Sequence, residues 1–372
     1  MYWLYGAYIA SIILIVLIEI TKKYKVNENE IPGRKYYNPV LVYIYICPLA
    51  YVAACRYRFW DTDDYRKMYE TVGKSFDNVF NNAMGHVEKG YLLFTALLNR
   101  INQDSQFLII VSSVFIIFLI CFFLSKESTD LPLSFLIFSS QMWMETMNGL
   151  RQYMVAAALW LVWGLWSKSV RCKKNDLFFI FSIIMMTSFH KSVLICIPLF
   201  FCARGKILNK KVLLCILVAI IMTVVSPIYN LIFNFLLGGT EYANYVDTTA
   251  AMGISRFITC CFPIILIWLY YSIYLKNGEN RSDKIIWMMN LSCINFAFNI
   301  LALRMVYFAR IGMYFTIFDL LVMPYCIDKC FTENSRKLIK VLLILFYVFF
   351  FYKQLLAYGG YATNFQLFYE VR

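Results

Sequence analysis

Apolar runs close to membrane-crossing length recur along the whole chain, and that repetition constrains the fold more than any motif. A hydrocarbon layer about 30 Å thick takes roughly 20 apolar residues of helix to cross. Candidate spans lie near 3–20, 38–55, 107–124, 132–147, 149–166, 177–189, 192–203, 212–236, 257–275, 285–303, 306–327 and 338–352. Composition agrees: 61% of the 372 residues are hydrophobic and 15% charged, whereas soluble domains sit near 45–50% and 25%. Mean hydropathy is +0.63. The expected fold is an all-α polytopic membrane protein, a single integral membrane domain with about 12 transmembrane or re-entrant helices. The first run does not read as a signal peptide. It lacks a basic leader and a small-residue cleavage site, and Lys22 and Lys23 follow it instead of preceding it.

A net charge of +13 would suit nucleic acid. In a membrane protein, the retention of Lys and Arg in cytoplasmic loops explains it first, so no nucleic-acid partner is expected. The twelve cysteines show no C-x-x-C spacing and most lie inside apolar runs. They read as small apolar space-fillers, with no metal site expected.

The loops alternate in charge. One set holds Lys22, Lys23, Lys25, Arg34 and Lys35; Lys126; Lys168, Arg171, Lys173 and Lys174; Arg204, Lys206, Lys210 and Lys211; Lys276, Arg281 and Lys284; and Lys329, Arg336, Lys337 and Lys340. These take the cytoplasmic side, which leaves both termini outside. The apolar run 177–203 is broken by His190-Lys191 and is basic on both flanks. It reads as a helical hairpin with S-F-H-K-S at an outer apex. Two outer loops follow, near 56–106 and 237–256. The first mixes acids and bases, which suits a folded surface better than a disordered tail.

The outer membrane edge collects polar residues that topology alone does not explain: Arg56, Arg58, Asp61, Asp63, Asp64, Glu88, Glu145, Asn148, Arg151, Gln152, His190, Lys191, Arg256, Arg304 and Arg310. Ionisable groups at membrane depth cost several kcal/mol, up to about 3.5 on insertion scales, and usually face a cavity or a partner. Were residues 145–152 helical, Glu145, Asn148 and Gln152 would share a stripe with Arg151 beside it. A planar arginine fork suits phosphate, and several around one cavity would suit a lipid diphosphate. Each residue has a plainer role to set against this. Arg151 could snorkel as an interfacial anchor, though its company of Asn148 and Gln152 favours chemistry. His190 could simply close a helix turn. The aspartates could be solvated loop acids, Arg304 and Arg310 could flank a short turn, and Glu145 could only pair an arginine.

In chain order these residues resemble a known family, the Wzy-type polysaccharide polymerases, and within it the EpsG-like group. R-Y-R-F-W-D-T-D-D-Y-R-K-M-Y resembles an arginine followed by T-D-Y-x-x-x-Y, falling on Thr62 or Asp63, Asp64, Tyr65 and Tyr69. E-K-G-Y resembles Glu-x-Gly-Tyr at Glu88, Gly90 and Tyr91. N-G-L-R-Q resembles N-x-x-R-Q at Asn148, Arg151 and Gln152. F-H-K-S resembles F-H-x-S at His190 and Ser192, and A-R-I-G-M-Y-F resembles R-x-x-x-Y-F at Arg310 and Tyr314. Two departures stand out: Ser140 and Gln141 replace a featureless lead-in, and D-T-D-D-Y offers two acids for one position.

The resemblance implies a multi-helix enzyme similar to the GT-C glycosyltransferases, in the bacterial inner membrane with its site facing the periplasm. It implies joining of oligosaccharide units carried on undecaprenyl diphosphate, with a flippase and a chain-length regulator of the same pathway as partners. No cofactor and no metal are implied. Arg151, His190, Asp64 and Arg310 become the catalytic candidates. Arg151, Arg310 and Arg304 would take the donor diphosphate, and Arg56, Arg58 or Arg256 the acceptor's. His190, Asp64 and Glu88 compete as base. Tyr65, Asn148, Gln152, Lys191, Ser192 and Tyr314 complete the substrate-binding set. Other classes stay open: a lipid-linked sugar flippase or transporter, a membrane O-acyltransferase using His190, and a glycan ligase.

Overall fold

Helix is the only regular structure among the described residues of the computed structural model, which are 1–22, 37–74, 76–80, 87–169, 173–225, 252–275 and 282–371. One isolated antiparallel bridge joins Arg56 to Leu367. The all-α expectation holds. Contacts gather the chain into two compact units, Met1–Leu194 with Glu333–Arg372, and Ile195–Thr332.

The first unit holds α1 (Tyr2–Ile20), α2 (Pro39–Cys55), α3 (Thr62–Val72), α4 (Phe76–Phe80), α5 (Lys89–Ile101), α6 (Gln106–Glu127), α7 (Leu131–Ile137), α8 (Trp143–Thr146), α9 (Leu150–Trp166) and α10 (Lys173–Met186). The second holds α11 (Cys196–Cys202), α12 (Lys210–Val224), α13 (Ile254–Tyr270), α14 (Asp283–Ala302) and α15 (Tyr307–Cys330). The chain then returns to the first unit through α16 (Glu333–Ala357) and the single turn α17 (Gly360–Thr363).

Six described helices are long and apolar enough to cross a membrane: α1, α6, α13 with its extension to Tyr274, α14, α15 and α16. α2 and the segment Lys191–Cys202 are apolar but shorter. The apolar windows of α1, α13 and α16 are only 33%, 28% and 28% buried. Their open faces carry residues such as Ile9, Ile13, Leu338, Leu345 and Phe349. Apolar surface on that scale needs a lipid solvent. In α14 and α15 the corresponding windows are 83% and 89% buried, so these two form the core of the second unit.

Local chemistry sets the helix ends. Asn38 caps α2, its side chain accepting from Val40 N–H at 3.0 Å, with Pro39 in the first turn. Asp130 caps α7 and is paired by Lys340 of α16. The expected span 132–147 is not one regular helix: a π-helical turn, Phe138–Met142, separates α7 from α8. The expected stripe over 145–152 fails as well. Gly149 sits in the left-handed region at φ +68°, where a Cβ is disfavoured, and splits α8 from α9. The expected break near 190 is present: α10 stops at Met186, and Thr187–His190 turn before a 3₁₀ stretch begins at Lys191.

Within the first unit, one end collects Arg56–Asp61, Glu88, Met147–Arg151, Ser188–Lys191 and the C-terminal tail. The tail is tied there by Tyr57 N–H donating to Gln366 O at 2.8 Å and by Trp3 Nε1–H donating to Glu370 at 2.8 Å. Between α2 and α6, α3 and α5 pack on each other and on α6. The second expected outer loop, 237–256, lies outside the described residues up to 251, as do Lys23, Lys25, Arg34, Lys35, Arg171, Lys276 and Arg281.

Candidate functional site

Three of the motifs meet around one carboxylate. Glu88 stands just before α5, its side chain 8% exposed. Its Oε2 accepts from Arg151 Nη1–H at 2.5 Å. Its Oε1 accepts the Lys191 backbone N–H at 3.0 Å and lies 3.6 Å from His190 Nδ1. Both oxygens are engaged, one by each of two distant segments. Arg151 and His190 keep about a fifth of their side chains exposed, so the cluster is open at its rim.

The surrounding residues show why Glu-x-Gly-Tyr is spaced as it is. Glu88 supplies the carboxylate. Gly90 lets α5 lie directly on the turn before His190: a Cβ there would fall 2.5 Å from Ser188 Oγ and 2.7 Å from its carbonyl oxygen. Tyr91 N–H donates to that carbonyl at 3.2 Å. The Tyr91 ring then lies under the guanidinium, 5.8 Å from Arg151 Cζ. Tyr65 of α3, buried, presents its hydroxyl to Arg151. Burial holds that phenol above its ordinary pKa, against the opposing pull of the arginine. Tyr65 is therefore a neutral acceptor that leaves the positive charge of Arg151 undiminished.

Arg151 is the second residue of α9, immediately after the Gly149 turn, at the positive end of that helix. Asn148 lies before the turn, and its buried side-chain oxygen has no hydrogen-bond partner among the described residues. Gln152 is buried one position beyond Arg151. Glu145 accepts from the Tyr153 hydroxyl at 3.2 Å. Lys191 is exposed, and Ser192 follows it in the 3₁₀ turn.

The remaining candidates take different places. Arg56 is fully buried and donates to Thr62 Oγ1 at 3.0 Å, to Ser113 Oγ at 2.8 Å, to the Met147 carbonyl at 3.1 Å and to the Ala53 carbonyl. Its fork is consumed by protein acceptors and offers no face to a diphosphate. Burial lowers its pKa to about 9, still well above neutrality, so the clamp stays charged. Arg58 is largely exposed and pairs with Asp63 at 3.4 Å. Asp64 is exposed on the first turn of α3. Arg256, Arg304, Arg310 and Tyr314 belong to the second unit. Arg310 is exposed at the start of α15 with its guanidinium 5.2 Å over the Tyr307 ring, and Tyr314 is buried in the same helix.

The sequence reading missed two features. Arg66 of α3 donates to Gln106 and to the Arg56 carbonyl, and stacks 4.6 Å over Tyr57. Asp319, deep in α15, accepts from Ser292 Oγ–H and from Asn295 Nδ2–H at 2.7 Å, both on α14. An aspartate inside T-I-F-D-L-L-V was signal enough to find it.

No curated protein and no solved structure matches this chain. The EpsG family model matches residues 39–369, nearly the whole chain and all the motifs described above, and the chain belongs to the EpsG family.

Proposed function

We propose that this chain polymerises oligosaccharide units carried on undecaprenyl diphosphate, at the outer face of the bacterial inner membrane. Family membership carries the coarser statement, an exopolysaccharide- or O-antigen-polymerase-like function. The finer reading rests on one observation: Glu88, Arg151 and His190, from three separate motifs, meet in a half-open cluster at the loop-bearing end of the first unit.

In the proposed reaction an acceptor hydroxyl at the non-reducing end of a new lipid-linked unit attacks the anomeric carbon of the growing glycan. The bond from that carbon to the diphosphate oxygen breaks, and the lipid diphosphate leaves with the electron pair. Arg151 stabilises the charge building on the leaving group, from a site already oriented by Glu88 and Tyr65. Arg58 retains the sequence assignment to the acceptor diphosphate, and the diphosphate assignments of Arg304, Arg310 and Arg256 stay proposals for the second unit by itself. The base is His190. A carboxylate beside Nδ1 favours the tautomer protonated there and makes Nε2 the basic nitrogen. Glu88, occupied on both oxygens, organises the cluster in place of abstracting the proton. Asp64 is the competing base. On this reading the arginine supplies the electrostatic work without a metal.

The test is glycan length on a gel, in a strain lacking the gene and complemented with variants. Wild type should give a ladder, and the deletion a single repeat unit. Arg151→Ala should match the deletion at normal membrane abundance. Arg151→Lys should lose at least about tenfold of product, because an ammonium lacks the fork. A long ladder from Arg151→Ala would sink the assignment. Complete loss of surface glycan in the deletion would point to a flippase or ligase, and altered band mobility at unchanged length to an acyltransferase.

A further inference from the structure

At the same end of the first unit a groove of about 740 Å³ lies between the loop after α2 and the C-terminal tail. Its walls are aromatic. Trp60, 40% exposed, stacks on Tyr361, 50% exposed, with ring centroids 4.7 Å apart and planes 11° from parallel. Tyr358 meets Trp60 edge-on at 5.8 Å. The floor is apolar and closed by buried Phe59 and Phe365, 5.7 Å apart. Planar polar groups rim it: the Arg58–Asp63 pair, Asn364 and Gln366.

We propose that this groove binds the oligosaccharide part of the lipid-linked glycan. A sugar ring is amphipathic. Its C–H faces lie flat on aromatic rings, and its hydroxyls need planar donors and acceptors around the edge. The groove has both, and its volume falls within the roughly 300–1,000 Å³ of ligand sites. The competing explanation for exposed Trp and Tyr at a membrane edge is interfacial anchoring. An anchor turns its ring outward to lipid, whereas Trp60 and Tyr361 turn theirs on each other beside an ion pair. Trp60 also holds a left-handed backbone, φ +49°, an unfavoured state for a bulky side chain and one that clusters at ligand clamps. The groove is coupled to the cluster by a few residues of chain. Asp63 lines the groove from the first turn of α3, and Tyr65, two residues on, touches Arg151. A glycan lying here would carry its sugars past the site where its diphosphate is held.

The inference rests on the polymerase reading, so two readouts are needed. The first is binding by the purified full-length protein in detergent. The probe is lipid-free short oligosaccharides released by mild acid from the strain's own surface polysaccharide, followed by tryptophan fluorescence and calorimetry. Trp60→Ala and Tyr361→Ser should weaken binding about tenfold, equivalent to about 1.4 kcal/mol. Tyr361→Phe, which keeps the ring, should bind nearly as wild type. The second readout is the ladder. Tyr361→Ser and Asn364→Ala, both at exposed positions, should give shorter chains at normal abundance, whereas Arg151→Ala gives only the single repeat unit. Wild-type binding and wild-type lengths in these variants would overturn the groove and leave Arg151 untouched. Conversely, a long ladder from Arg151→Ala alongside lost oligosaccharide binding in Tyr361→Ser would overturn the polymerase site and leave the groove standing.

Discussion

Arg151 heads an apolar run because its charge has a place to go. Glu88 pairs it from 63 residues away, Tyr65 accepts from it, and Tyr91 lies under it. A lone arginine near the bilayer would snorkel to water, whereas this one is fixed by its partners. The fixing depends on Gly90. A methyl group at that position would collide with Ser188 Oγ and with its carbonyl oxygen. The carbonyl cannot rotate away, so α5 must back off from the 187–190 turn. Gly90→Ala should therefore separate Glu88 from Lys191 N–H and lower polymer yield by at least about tenfold. The rest of the first unit should stay folded, since the cost of such overpacking is typically about 1–3 kcal/mol. Fluorescence-detected gel filtration beside the ladder would check it. A normal ladder from Gly90→Ala would show that the close approach is dispensable. Of this cluster, the sequence displayed Glu88, Arg151 and His190 as polar residues out of place. Their mutual distances were not displayed, because no local rule links Glu88 to residues 63 or 102 positions further on.

Arginine 56 marks where residue-type reasoning fails and element packing takes over. By sequence it is one more arginine at the outer edge. In the structure it ties α2 to α3 through Thr62, to α6 through Ser113, and to the segment after α8 through Met147. A phosphate ligand and a buried clamp have the same side chain, and only the surrounding carbonyls separate them. Arg56→Leu should remove these bonds at once and orphan at least the Met147 carbonyl, at a cost of about 3 kcal/mol or more. The expected result is loss of folded protein, read as a lowered aggregation temperature in detergent, without a change in activity per folded molecule. Full abundance with lost activity would return Arg56 to the substrate-binding set. The same limit explains the failed stripe over 145–152. Its spacing was helical, but the glycine inside it takes a left-handed backbone and turns Arg151 into the start of a new helix. A glycine between Asn148 and Leu150 was visible in the sequence as a possible break. The π turn over Phe138–Met142 had only a weaker marker, the Ser139-Ser140 pair, whose hydroxyls compete for backbone carbonyls.

At the scale of the molecule, what hydropathy made legible was the class: a chain of apolar helices with alternately basic loops. It did not divide the chain. Nothing in the runs of Ile, Leu and Phe reveals that residues 195–332 form their own unit while 333–372 return to the first. Nor does the C-terminal L-L-A-Y-G-G-Y, which carries no motif, announce that the tail closes the first unit. The tail pairs Leu367 with Arg56 across an isolated bridge, gives Tyr57 N–H its acceptor at Gln366, and joins Tyr369 to Tyr51 through their hydroxyls at 2.7 Å. Glu370 accepts from Trp3, so the two termini meet. A chain cut after Tyr358 should keep α16 and its Lys340 tie to Asp130, and with them the helical body of the first unit. It should lose the wall of the groove and the acceptor that holds the loop after α2. The expected product is a membrane-inserted protein with near-normal helix content, rapid proteolysis between α2 and α3, and a ladder reduced to its shortest rungs. Protease resistance in that loop equal to wild type would mean that α3 and Arg56 hold it unaided, and that the tail serves the glycan alone.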